Sequence, residues 1–349
     1  MNAHNMSIDA GFMARAIELA LLGLGKVSPN PLVGCVIVHE GRIIGEGWHR
    51  AYGEAHAEAA AVQSVQDKRL LQASTVYVTL EPCTHHGKTP PCADMLIEHA
   101  VRRVVVGSVD SNPKVTGGGV AKLKAAGIDV ATGVLEDACR YMNRRFFTFV
   151  EQKRPYVILK WAETSDGYIA RENRDSKWIS DKTSRQLVHR WRSEEDAILV
   201  GSGTAEADNP KLTVRDWTGR NPVRILIDRS LRLGPPLYLF DQSVPTIVYN
   251  TIRSEEGGNI VRVKLSEGNF LNEMMADLYQ RDIQSIIIEG GARTLELFIQ
   301  AGLWDEARVF KSPQVFGSGI RAPRIIGQPR VESLAADQLL LYTPNPAHG

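Results

Sequence analysis

Apolar and polar positions along the 349-residue chain follow two rhythms in turn. A 3.6-residue period marks helices, and a two-residue period or a short apolar run marks strands. Up to residue 148 the two alternate. Helices are predicted over Met13–Leu24, the alanine-rich Ala55–Val65, Pro91–Ala100, Gly119–Ala126 and Glu136–Thr148. Strands are predicted at Leu32–His39 and Arg42–Trp48, turned by Glu40 and Gly41, then at Thr75–Leu80, Arg103–Gly107 and Ile128–Ala131. Such alternation predicts an α/β sheet with helices on its faces.

The charged stretch from Glu151 to Arg154, closed by Pro155, breaks the pattern. It sets the expected domains at 1–150 and 155–349. The second domain again reads as α/β. Its strands are Tyr156–Lys160, Ala197–Val200, Val223–Ile227, Thr246–Tyr249, Ile260–Val263 and Ser285–Glu289, and its helices Asp181–Arg192, Asn272–Gln280 and Ala292–Ala301.

Composition changes this picture little. Hydrophobic residues make up 43% and charged residues 23%, ordinary values for a soluble globular protein. The formal net charge of +1 calls for neither nucleic acid nor an anionic membrane as partner. Asp9, Arg15 and Glu18 interrupt the early apolar residues, so no signal peptide is read. Runs such as Val33–Val38 and Ile286–Ile288 are too short to span a bilayer. Four cysteines do not make a disulfide framework. Cys35 and Cys139 read as buried thiols, and a cytoplasmic protein, homo-oligomeric, is expected.

The other two cysteines carry chemistry. His56 and Glu58 open a predicted helix, and Pro82-Cys83 and Pro91-Cys92 follow. One imidazole and two thiolates are the donor set of a catalytic zinc that keeps a fourth position for water. Their softness favours zinc, and two thiolates offset its charge. Residues two apart on a helix do not face one another, which leaves Glu58 as a proton carrier beside the metal and not a ligand. An H-x-E followed by a P-C pair is the signature of zinc deaminases acting on nucleobases, except that here eight residues separate the cysteines instead of two. The intervening loop must bulge, which puts His86 or Lys88 near a substrate. A closed structural centre is the alternative, with His85 or His86 as fourth ligand.

The second domain lacks a Gly-x-Gly-x-x-Gly fingerprint. Glycine turns at Gly201-Ser202-Gly203 and Gly290-Gly291 nevertheless offer backbone N–H groups where a pyrophosphate would approach.

The run from Glu81-Pro82-Cys83 to Pro90-Pro91-Cys92, with His56 and Glu58, closely resembles the bifunctional deaminase/reductase family of riboflavin biosynthesis. The segments Pro29–Val38 and Gly47–Gly53 match too, and the eight-residue spacing is that family's own variant. The resemblance covers nearly the whole chain. It implies a cytidine-deaminase-like α/β/α domain followed by a dihydrofolate-reductase-like α/β domain, with Zn2+ and NADPH as cofactors and a phosphorylated pyrimidine as substrate. It implies zinc ligands His56, Cys83 and Cys92, with Glu58 as proton shuttle and Asn30, His49 and Lys88 lining the deaminase pocket.

For the reductase it implies NADPH against Ala162, Trp178, Thr204, Asp208 and the segment from Gly291. Substrate is expected near Ser176, Arg192, Leu212, Arg215 and Glu289. Arg192 and Arg215 are expected to clamp the ribose 5-phosphate, and Lys160 and Glu289 to orient or protonate the opened sugar. The chain departs from the family at Thr164–Tyr168, which lacks the basic residue often found there, and at Arg229, where relatives can carry serine. A tRNA or guanine deaminase would explain only the first domain.

Overall fold

The computed structural model describes residues 3–84, 90–111, 117–176 and 179–344, with side chains from residue 7. The chain divides into two units, Met1–Lys153 and Arg154–Gly349.

In the first unit the described residues form helices α1 (Ala3–Leu21), α2 (Ala57–Ser64), α3 (Cys92–Glu98), α4 (Gly118–Ala125), α5 (Glu136–Met142) and α6 (Arg144–Gln152). Its strands are β1 (Gly34–His39), β2 (Arg42–Trp48), β3 (Thr75–Leu80), β4 (Arg103–Ser108) and β5 (Asp129–Thr132). They lie in the order β2-β1-β3-β4-β5, with β3, β4 and β5 parallel. The two-residue period sends successive side chains to opposite layers. Cys35, Ile37, Val76, Val78, Val104 and Val106 pack beneath α2, α3 and α4. Val36, Val38, Tyr77 and Val105 pack beneath α1 and Cys139 of α5. Both spare thiols, Cys35 and Cys139, are fully buried.

One predicted element is corrected. The helix expected over Glu136–Thr148 is two helices that break at Asn143 (φ −95°, ψ 20°). Asn143 is buried, and its amide exchanges two hydrogen bonds of 2.8 Å with the backbone N–H and C=O of Leu32. A side chain that satisfies a distant buried peptide in this way sets the local backbone. The first helix also stops at Leu21, three residues short of the expected Leu24, and begins earlier, at Ala3.

The second unit carries strands β6 (Tyr156–Glu163), β7 (Tyr168–Ala170), β8 (Ala197–Gly201), β9 (Val223–Ile227), β10 (Thr246–Asn250), β11 (Glu255–Gly257), β12 (Ile260–Lys264), β13 (Ser285–Ile288), β14 (Glu306–Lys311), β15 (Ile320–Arg321), β16 (Arg330–Leu334) and β17 (Asp337–Tyr342). Its helices are α7 (Lys182–Glu194), α8 (Ser202–Asp208), α9 (Phe270–Gln280) and α10 (Ala292–Gln300). Among the described residues ten of the strands form one sheet, ordered β11-β12-β10-β9-β8-β13-β6-β14-β17-β16. The seven from β12 to β14 in that order are parallel to one another.

Val157, Leu159, Ile286 and Ile288 face α9 and α10. Tyr156, Ile158 and Ile287 face α7 through Val188 and Trp191. The same alternation puts Lys160 on the α7 side of β6. The sequence pattern does not predict the strands after residue 301. In β14 the apolar rhythm is masked by Glu306 and Arg308, which are buried and hydrogen-bonded to one another at 2.6 Å. Gly203, expected in a turn, lies inside α8.

Candidate functional sites

The first site stands where β3 ends and α2 and α3 begin. His56 is the residue that caps α2, in extended conformation, and Glu58 lies in the first turn. Cys83 follows β3 by three residues, and Cys92 opens α3 behind Pro91. Backbone packing fixes these positions. A Cβ on Gly47 of β2 would come 2.3 Å from the nitrogen of Ala61 and 2.5 Å from the carbonyl oxygen of Ala57, so only glycine lets α2 lie this close to the sheet. Glu81, buried just before Pro82, accepts the backbone N–H groups of Gly117 and Val120 at 2.9 Å. That ties the end of β3 to the start of α4. No role for Glu81 was read from the sequence; the signal available was an acid immediately before Pro-Cys.

The Nδ1 atom of His56 lies 3.5 Å from Cys83 Sγ and 3.4 Å from Cys92 Sγ. All three donor atoms fall within 4.8 Å of one another. Tetrahedral bonds of about 2.0–2.1 Å to nitrogen and about 2.3 Å to sulfur put N and S about 3.5 Å apart, so the triangle fits zinc. The backbone N–H of Cys92, at the head of α3, donates to Cys83 Sγ at 3.4 Å. Hydrogen bonding from the Cys92 thiol, then from His56, drives the Cys83 thiol well below its usual range. Cys92 is driven upward by the same thiol contact and by burial.

Glu58 is buried, and burial followed by the charge on Cys83 pushes its carboxyl up to about 7. His49 is buried beside this centre, its ring 5.9 Å from that of His56. Its Nδ1 faces the carbonyl of Ala55 at 3.0 Å, which requires a proton there. Its Nε2 therefore accepts from Asn30 Nδ2 at 3.0 Å. Asn30 and His49 are thus brought together. Lys88, with His85 and His86, lies outside the described residues.

The second site gathers on the α7 side of the large sheet. Lys160 projects from β6, and Glu289 follows the adjacent β13. Glu289 accepts Arg192 Nε and Nη2, both at 2.9 Å, and its Oε2 lies 3.5 Å from Lys160 Nζ. Burial alone would raise the Glu289 carboxyl; Arg192 and Lys160 more than offset it and hold it at about 2. Lys160 is lowered, chiefly by burial. The structure places the two arginines of the expected clamp differently. Arg192 commits its fork to Glu289 and another N–H to the carbonyl of Thr213 at 3.3 Å, whereas the Arg215 side chain is exposed. Leu212 turns its side chain into the core, with its backbone at φ 55°.

At the ends of the neighbouring parallel strands β8 and β13, Thr204 Oγ1 accepts the N–H of Gly291 at 2.8 Å. The hydroxyl of Ser176 approaches the Asp208 carboxylate at 3.3 Å. A Cβ on Gly290 would meet Thr294 Cβ at 2.7 Å. The chain leaves β8 toward β9 on one side and leaves β13 toward β14 on the other. Such a switch point is where open α/β sheets bind ligands, in the crevice beyond the carboxyl ends of the strands. Ala162 lies further along β6, half-buried. Trp178 is outside the described residues.

Residues 155–343 match the RibD C-terminal domain, and residues 6–108 match the cytidine and deoxycytidylate deaminase zinc-binding region. The riboflavin biosynthesis protein RibD of Aquifex aeolicus is 39% identical, across 96% of this chain and 98% of its own length. The chain belongs to the RibD family. The Escherichia coli RibD is 38% identical, across 94% of this chain and 93% of its own. A solved Thermotoga maritima diaminohydroxyphosphoribosylaminopyrimidine deaminase/5-amino-6-(5-phosphoribosylamino)uracil reductase superposes with a TM-score of 0.89 at 40% identity, covering 98% of this chain and all of that one. The first RibD unit is a zinc deaminase and the second a reductase, with Zn2+ and NADPH as cofactors. No helix among the described residues is long and apolar enough to cross a membrane.

Proposed function

We propose that this chain catalyses two consecutive reactions of riboflavin biosynthesis. The first unit deaminates 2,5-diamino-6-(5-phosphoribosylamino)pyrimidin-4(3H)-one hydrolytically. The second reduces the ribosyl group of 5-amino-6-(5-phosphoribosylamino)uracil to ribityl with NADPH. The observation that carries the reading is the three-point donor set of His56, Cys83 and Cys92 with a buried Glu58 beside it, on one chain with the Lys160–Glu289–Arg192 cluster.

In the deaminase unit His56, Cys83 and Cys92 hold the metal. When bound, zinc supplies the Lewis acidity that makes water a nucleophile at neutral pH. Glu58 takes one proton of that water to the pyrimidine ring nitrogen, then carries the second, from the hydroxyl formed on the attacked carbon, to the departing amine. Its raised carboxyl pKa supports this, because a shuttle works best when acid and base forms are close in energy. Asn30 keeps its carbonyl oxygen for the pyrimidine, while His49 holds the amide in place.

In the reductase unit the Gly290-Gly291 turn at the head of α10 receives the cofactor, with Ala162, Thr204 and Asp208. When bound, NADPH supplies the reducing equivalent. Ser176 and the backbone of Leu212 contact the substrate, and the exposed guanidinium of Arg215 takes the 5-phosphate. Lys160, an ammonium held against Glu289 and Arg192, gives its proton to the ring oxygen as the sugar opens and is reduced. The 1–150 and 155–349 domain limits correspond to these two activities.

The test supplies zinc-replete protein with the diaminopyrimidine ribotide, with and without NADPH. Ammonia release without NADPH, and NADPH oxidation only after deamination, are expected. Ammonia alone would remove the reductase assignment, and the absence of both signals would remove the whole reading.

A further inference from the structure

We propose that His189 is the positioning residue that fixes the Arg215 segment of the reductase unit and thereby sets affinity for the substrate phosphate. The inference rests on the reading of Arg215 as the phosphate contact. Residues 211–220 contain neither helix nor strand, so side-chain contacts must hold their backbone. Leu212 anchors the start of the segment in the core. The carbonyl of Thr213 accepts Arg192 Nη1, and the N–H of Val214 donates to Asn221 Oδ1 at 2.8 Å. The N–H of Arg215 itself donates to His189 Nδ1 at 3.2 Å.

His189 is buried on α7, one turn before Arg192, so a single helix face reaches both Glu289 and the phosphate-facing segment. A backbone donor at Nδ1 requires that nitrogen to be bare, which puts the ring proton on Nε2, 3.6 Å from Asp216 Oδ2. Burial, then the neighbouring cations Arg192 and Arg215, hold the imidazole neutral, its pKa pushed down to about 4. A cationic residue at this position would oppose both arginines. An apolar one would leave a peptide N–H without its partner. Neutral histidine supplies an acceptor and no charge, and Arg215 keeps its guanidinium at the surface.

The test compares His189→Leu, His189→Asn, Arg215→Ala and the Leu/Ala double variant. The readouts are KM and kcat for 5-amino-6-(5-phosphoribosylamino)uracil and for its dephosphorylated counterpart, at saturating NADPH. The urea midpoint of the reductase unit in the same chains controls for folding. Asn can bring Oδ1 to the place of Nδ1; Leu cannot. His189→Leu is expected to raise KM for the phosphorylated substrate about tenfold, as the loss of one hydrogen bond would, with little change for the dephosphorylated one. His189→Asn should recover most of that loss, and the double variant should be no worse than Arg215→Ala alone.

An unchanged KM in His189→Leu beside a raised KM in Arg215→Ala overturns the proposal. So does a loss that adds fully to that of Arg215→Ala. An unchanged KM in Arg215→Ala removes the phosphate reading and the proposal with it. If His189→Leu fails to fold, His189→Gln replaces it, since its amide reaches the Nε2 position instead; equal KM values for the Asn and Gln variants would then refute the assignment.

Discussion

Glu289 and Arg192 stand 97 residues apart in the chain and share two hydrogen bonds of 2.9 Å, their side chains only about a tenth exposed. The pair joins the end of β13 to the face of α7, and Lys160 completes it from the adjacent β6. Two cations thus converge on one carboxylate. A guanidinium held in this fork is oriented as well as neutralised.

Replacing Glu289 by Gln should therefore do more than slow a reaction. Lys160 and Arg192 would be left buried without their counter-charge. Breaking a buried pair from one side costs about 3–5 kcal/mol. The expected outcome is loss of NADPH oxidation with ammonia release retained, and a lower urea midpoint for the reductase unit. Full reductase activity in this variant would remove Glu289 from the site.

The same carboxylate makes stability depend on pH in a defined window. Its pKa is depressed in the folded state, to about 2 from an ordinary 4.5. Its contribution is thus complete above about 4.5 and is lost as pH falls toward about 2. The unfolding free energy of wild type minus that of Glu289→Gln should be flat near neutrality and shrink across that acid range. A gap that stays constant down to about pH 2 would contradict the pairing.

Glu58→Ala should abolish ammonia release by at least about 100-fold, the usual scale for a removed general acid–base group. Metal content measured on the purified variant should remain at the wild-type level, because His56, Cys83 and Cys92 are intact. Loss of metal would make Glu58 a structural element of the centre.

Chelation of zinc should separate the two activities. Ammonia release should stop and return on zinc addition. NADPH oxidation with the deaminated substrate should persist, since the donor triangle lies wholly in the first unit. Equal loss of both activities would show that the reductase unit also depends on the metal.

Asn143→Ala removes both partners of the Leu32 peptide. Each buried group left unpaired costs about 1–3 kcal/mol. A lowered denaturation midpoint of the deaminase unit is expected, without a change in metal stoichiometry. Wild-type stability would mean the α5–α6 break has another cause.

Much of this molecule is legible in the chain itself. The apolar rhythm of Thr75–Leu80 and Val223–Ile227 gives β3 and β9 their observed limits, because a strand buried on both faces needs only its own residues to declare it. The donors His56, Cys83 and Cys92 and the acid Glu58 are visible because zinc chemistry restricts residue types as well as spacing. What required the tertiary structure are the relationships set by register and long-range packing. The break at Asn143 depends on a peptide 111 residues away. The strand β14 is hidden by the charges of Glu306 and Arg308, which meet one another, Tyr156 and Glu195. The engagement of Arg192 with Glu289, and of His189 with the Arg215 backbone, follows from where α7 crosses the sheet. Local patterns report what a residue prefers in its own neighbourhood; which distant group meets a guanidinium or a peptide N–H is decided when the layers pack.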